Sequence, residues 1–115
     1  MKIERELMRG AGPIAVMQLL ARREMYGYEL VEALSGQSKG LLAMGQSTLY
    51  PMLYNLEAKG LVASRLDETA SRSRRYYRLT HKGKRQLDHD TKQGRTLAEA
   101  MAALGLGPKP AGGEA

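Results

Sequence analysis

Seven cations stand within fourteen residues without one acid among them: Arg72, Arg74, Arg75, Arg78, Lys82, Lys84 and Arg85. Arginine at this density suits phosphate, because the guanidinium fork presents paired N–H donors that match its oxygens. The charge is also placed rather than spread. Residues 64–95 hold ten Lys and Arg against four Asp and Glu, an excess equal to the net +6 of the whole chain. Residues 1–63 hold seven and six, and residues 96–115 one and two. A second constellation is uncharged: Ser47, Thr48, Tyr50, Tyr54 and Asn55 cluster around Pro51. At a helix start, free N–H groups and the helix dipole favour an anion, and short hydroxyl side chains permit close approach. Both groups point to a polyanionic partner.

Other chemistries are poorly supplied. The chain has no Cys, which excludes disulfides, thiolate metal sites and a cysteine nucleophile. His81 and His89 lie eight residues apart, two turns along a helix, too far to share one ion, so no metal site is expected. There is no nucleophile with an adjacent base, no carboxylate pair and no phosphate-cradling glycine loop, so neither an enzyme nor a cofactor is expected. Acids within Met1–Glu6 and the lack of eighteen successive apolar residues argue against a signal peptide or a membrane span. The expected location is the cytoplasm.

The elements that must position these groups can be read from period and punctuation. A chain of 115 residues fits one domain, and with no Trp, no Phe and seven Met its core must be aliphatic and methionine-rich, with much to gain from dimerising. Residues 1–11 read as an N-terminal arm with a helical turn around Arg5 to Met8. Pro13 suits the first turn of a helix over 12–22. Tyr26, Leu30, Val31 and Leu34 recur at helical spacing over 26–36. After a Gly- and Ser-rich loop, Leu49, Met52, Leu53 and Leu56 mark a helix over 47–59, with Ser47 as N-cap, Pro51 in the first turn and Gly60 as the C-terminal cap. Residues 61–66 and 74–79 read as an antiparallel hairpin. By its period of two, Tyr77 shares the core face with Leu79, while Arg74, Tyr76 and Arg78 take the other. Thr80 caps a last helix over 81–104. Its Leu87, Leu97, Met101 and Leu104 fall near heptad a and d positions suited to dimerisation, although Asp90 and Gly94 interrupt the seam. Residues 105–115, rich in Gly and Pro, read as a disordered tail.

Three helices, a two-stranded wing and a closing helix give a mainly α fold with a small β component (α+β), in the order of a winged helix-turn-helix. In that motif the third helix enters the major groove. The DNA-binding domain is then 12–80 and the dimerisation helix 81–104.

The wording of the segments sharpens this reading. Tyr26-Gly27-Tyr28-Glu29-Leu30 resembles the GYEL signature of PadR regulators. Ser47-Thr48-Leu49-Tyr50-Pro51-Met52-Leu53 resembles their GTLYPxL motif, Leu56 to Val62 resembles LExxGLI, and Arg74 to Thr80 resembles the wing strand R-x-YYxLT. The resemblance covers roughly residues 12–95. It implies a homodimeric, sequence-specific regulator of transcription, expected to be a repressor on a pseudo-palindromic operator in double-stranded DNA. It also implies contacts from Ser47, Thr48, Tyr50, Pro51, Tyr54, Asn55, Arg72, Arg74, Arg75, Tyr76 and Arg78. Three positions depart from the pattern: Ser47 replaces the usual Gly, Ser73 stands where the wing commonly has Gly-Arg, and Asn55 replaces a frequent basic residue, favouring adenine over guanine. Such regulators often answer to small phenolic or hydrophobic effectors held between aromatic side chains, but the last helix has no aromatic residue, which leaves a methionine-lined gap for any effector. The competing reading is a winged-helix module that docks protein rather than DNA. It leaves the basic hairpin without a purpose.

Overall fold

The computed structural model describes residues 4–69 and 71–106. The element order is α1 (Arg5–Arg22), β1 (Met25–Tyr26), α2 (Gly27–Gln37), α3 (Gln46–Ala58), β2 (Val62–Asp67), β3 (Arg74–Leu79) and α4 (His81–Ala103). The helices α2, α3 and α4 lie within a residue of their expected bounds.

The first helix is the largest difference. It begins at Arg5, so residues 5–11, expected as an arm, are helical, and Pro13 lies inside the helix rather than at its start. The proline removes the N–H that the carbonyl of Arg9 would accept, but Arg9 is exposed and that carbonyl is open to water. Tertiary packing outweighs the cost. Met8 lies against the core, and Gly12 is buried so close to Met52 that a Cβ there would stand 2.8 Å from its Cε.

The hairpin is antiparallel as expected, its first strand one residue later than read, with Val62 opposite Leu79 and Asp67 opposite Arg74. A third strand corrects the two-stranded wing. Met25 and Tyr26 pair with Tyr77 and Tyr76, giving the order β1-β3-β2. A two-residue strand carries no readable period, and its pairing depends on a partner fifty residues away in sequence.

Capping explains where the other elements stop. At the end of α3, Gly60 has φ +76°, its N–H donates to the Glu57 carbonyl at 2.9 Å, and the Leu61 N–H returns to Leu56 at 2.9 Å. This Schellman closure needs a left-handed residue, which glycine supplies without strain. Thr80 caps α4 as expected, its hydroxyl accepting from the Gly83 N–H at 2.9 Å, a contact worth about 1 kcal/mol. The start of α3 differs: Gly45 is the N-cap, and Ser47 is already helical. Pro51 therefore lies two residues further in, and the carbonyl it leaves without a donor belongs to exposed Ser47.

One core holds these parts. Val16, Met17 and Leu20 of α1 meet Leu30 of α2, Leu49, Leu53 and Leu56 of α3, and Val62, Tyr77 and Leu79 of the sheet. Tyr77 faces the core and Tyr76 the other side, as the strand period requires. Leu87 packs partly against this core, whereas Leu97, Met101 and Leu104 are exposed on the last turns of α4. Of the expected tail, residues 107–115 lie outside the described residues. No described helix is long and apolar enough to cross a membrane.

Candidate nucleic-acid interface

Burying Leu49, Leu53 and Leu56 turns the opposite face of α3 outward. Ser47, Thr48, Tyr50, Pro51, Tyr54 and Asn55 are all exposed, and Tyr54 is the most open large side chain of this helix at 73%. The wing stands beside it. A cleft of about 390 Å³ separates the start of α2, the start of α3 and the wing, and its walls include Tyr28, Gln46, Tyr50, Arg72, Arg74 and Arg75. The Tyr50 phenol of α3 and the wing guanidinium groups thus share one concavity, which does not include Ser47 or Thr48.

Glycine at position 27 makes room for this arrangement. A Cβ there would lie 2.1 Å from the Tyr50 hydroxyl oxygen and 2.7 Å from Cζ, so the Tyr50 ring can lie against α2 only because residue 27 has no side chain. Beneath it, burial pushes the Tyr77 phenol above its ordinary pKa, with Tyr50 adding to the effect and Arg75 opposing it. Arg75 also donates to Ser64 Oγ at 3.1 Å.

Two acids near the wing, Asp67 and Glu24, already accept hydrogen bonds. Asp67 accepts from the Thr69 hydroxyl at 2.6 Å and from its N–H at 2.9 Å, which holds the carboxyl below its ordinary value. Glu24 is held low chiefly by its hydrogen bond from Arg65. Among the described residues the ion pairs are Arg9–Glu6, Arg23–Glu29, Arg65–Glu24 and Lys92–Asp88, and they include none of Arg72, Arg74, Arg75 and Arg78. The three cations lining the cleft, Arg72, Arg74 and Arg75, are thus outside any ion pair among the described residues.

Not every expected residue converges there. Thr48 lines a separate cleft with Arg5, Met8 and Met44. Tyr54 and Asn55 lie farther along α3, and Arg78 is exposed near Glu24, outside the cleft. Tyr76 is half-buried against Tyr26 rather than free to reach outward. The cleft also includes Tyr26, Gly27, Tyr28 and Gln46, which the sequence reading did not count as contacts. The signal was present for Gln46, one residue before the hydroxyl cluster, but not for the tyrosines, whose helical spacing matches ordinary packing. No cluster of three or more His, Asp or Glu able to hold a metal occurs among the described residues.

Comparison with known proteins bears on family and fold. The model of the transcriptional regulator PadR-like family matches residues 16–89. Transcriptional regulator Rv3488 of Mycobacterium tuberculosis is 34% identical over 97 residues, covering 84% of this chain and 88% of that protein. The crystal structure of a PadR family transcriptional regulator from Eggerthella lenta superposes with a TM-score of 0.78 at 35% identity, covering 90% of this chain and 88% of that one. A transcriptional regulator from Clostridium thermocellum, at 23% identity, shares the fold with a TM-score of 0.80 over 85% of this chain and 96% of its own.

Proposed function

The chain belongs to the PadR-like family of transcriptional regulators, and from that premise we propose that it binds duplex DNA as a homodimer and represses transcription in the cytoplasm. The observation that carries this reading is the shared cleft, where Tyr50 and Gln46 of α3 face Arg72, Arg74 and Arg75 of the wing. Seated in a major groove, α3 presents Tyr54 and Asn55 to base edges, with Asn55 suited to adenine. The wing arginines then meet phosphate or the adjacent minor groove.

Dimerisation has its own support. Between α1 and α4 runs an apolar groove of about 780 Å³ walled by Leu7, Ala11, Ile14, Leu42, Gly94 and Leu97. Leu97 is 62% exposed and Leu104 83%. A surface this apolar on a small domain is a place for another chain, and a second copy there pairs two reading heads. Half-site centres would then lie roughly 34 Å apart, one helical turn of DNA.

The test is equilibrium binding to a labelled random-sequence duplex as a function of salt. If the dimer neutralises about 6 to 8 phosphates, log K falls against log salt with a slope near −0.9 per phosphate. Binding indifferent to salt, or none at low ionic strength, would overturn the proposal. Selection of bound fragments from the same pool reads out half-site spacing and symmetry.

A further inference from the structure

Five side chains from distant parts of the sequence form a continuous stack whose last two members, Tyr26 and Arg74, line the cleft. Glu24, between α1 and β1, accepts two hydrogen bonds from Arg65 of β2, one from Nε at 3.2 Å and one from Nη2. The Arg65 guanidinium carbon lies 4.9 Å from the centre of the Tyr76 ring. Tyr76 meets Tyr26 edge to face, with ring centres 5.5 Å apart and planes at 71°. The guanidinium carbon of Arg74 then lies 4.6 Å from the centre of the Tyr26 ring.

The backbone enforces this order. Tyr26 is directly opposite Tyr76 in the β1–β3 pair, and Arg65 is opposite Tyr76 in the β2–β3 pair. Directly opposed residues share a face, so the three side chains must meet. Both guanidinium groups lie within the range in which a ring face attracts a cation. Their situations differ, however. Arg65 is neutralised by Glu24, whereas Arg74 belongs to no ion pair among the described residues and lines the cleft with Tyr28, Gln46 and Tyr50. Asp67, opposite Arg74 in register, forms its hydrogen bonds with Thr69 and meets Arg74 only as a nearby charge. The stack therefore ends on a guanidinium outside any described ion pair, held at the cleft by a ring that is itself braced from behind.

We propose that Tyr26 is a positioning residue for DNA binding: its ring, braced by Tyr76 and Arg65, holds the Arg74 guanidinium in place at the cleft, ready for a backbone phosphate. A free arginine must lose rotamer freedom when it docks, and one already stacked loses less. This inference rests on the DNA-binding reading above and adds a role for a side chain that need not touch DNA.

A double-mutant cycle separates positioning from packing. Binding of the full chain to a labelled random-sequence duplex is compared for wild type, Tyr26→Leu, Tyr26→Phe, Arg74→Ala and the double variant Tyr26→Leu/Arg74→Ala. Tyr26→Leu should weaken binding roughly three- to tenfold, the scale of one cation–π contact. Tyr26→Phe keeps the ring face and should bind like wild type. In the Arg74→Ala background, Tyr26→Leu should have no further effect. Multiplying losses in the double variant, a Tyr26→Phe protein as weak as Tyr26→Leu, or tighter binding by Tyr26→Leu would each overturn the proposal. Should Tyr26→Leu fail to fold, the wild type without DNA decides: Arg74 side-chain protons must show an upfield ring-current shift in its nuclear magnetic resonance spectrum, and their absence from the shielded region refutes the stack. Failure of the wild type to bind duplex sinks the DNA reading and this inference with it, whereas binding with multiplying losses sinks this inference alone.

Discussion

Replacing Gly83 by alanine tests how the closing helix is attached to the wing. Gly83 is in the first turn of α4, where its N–H donates to the Thr80 hydroxyl. A Cβ there would stand 2.1 Å from the Leu61 carbonyl oxygen and 2.7 Å from Leu79 Cδ1. The first of these is backbone, so no rotamer change relieves it, and the helix start must retreat by about an ångström, an overpacking that costs roughly 1–3 kcal/mol. The same carbonyl accepts the Thr80 N–H at 3.1 Å, and stretching that bond forfeits about 1 kcal/mol more. Alanine's better helix propensity returns up to about 1 kcal/mol. The net expectation is a loss of about 1–3 kcal/mol, or roughly 4–18 °C in Tm for a domain of this size. Thermal unfolding of both proteins at one protomer concentration measures it, because the proposed dimerisation would make Tm concentration-dependent. Gly36→Ala is the control, since that glycine is helical and nothing lies within 4 Å of its Cβ position. It should gain up to about 1 kcal/mol. A Gly83→Ala protein as stable as wild type would show that the helix and wing do not meet as described.

Three further outcomes are expected. Gly27→Ala puts a methyl group where the Tyr50 hydroxyl lies, and because the ring end can swing away, Tm should change little while duplex affinity falls roughly tenfold, the scale of one hydrogen bond to phosphate; unchanged affinity would remove Tyr50 from the interface. Leu97→Glu places a carboxylate in the apolar groove between α1 and α4, and sedimentation at micromolar concentration should show a monomer for the variant and the proposed dimer for the wild type, since an unpaired charge buried in the interface is strongly disfavoured. Glu24 is held below its ordinary pKa chiefly by the hydrogen bond from Arg65. Its contribution to stability is therefore complete above the unfolded carboxylate value and disappears as pH falls through the depressed folded value. The stability gap between wild type and Glu24→Gln, read from urea midpoints across acid pH, should close at the acid end, and a gap independent of pH would count against the pair.

The helices from α2 onward and the hairpin could be read from the chain alone because their causes are local. Apolar residues recur with the helical period, Thr80 caps α4 with its own hydroxyl, and Gly60 closes α3 in a conformation that glycine adopts freely. Alternation along β3 likewise sends Tyr77 inward and Tyr76 outward without reference to any partner. The density of arginine after Ser71 is a property of composition, and it marks the wing before any coordinate is known. What local order could not decide depends on groups distant in sequence. Helix α1 continues through Gly10, Gly12 and Pro13 because Met52 and the core hold it, against the propensity of those residues. Strand β1 exists only because Tyr76 and Tyr77 stand opposite it. The same pairing turns Tyr26 from a helix-packing residue into the support of Arg74, while the missing side chain at Gly27 lets Tyr50 lie across α2. Composition and period act over a few residues, but the direction of a side chain in a shared cleft is set by whatever the fold places on its other side.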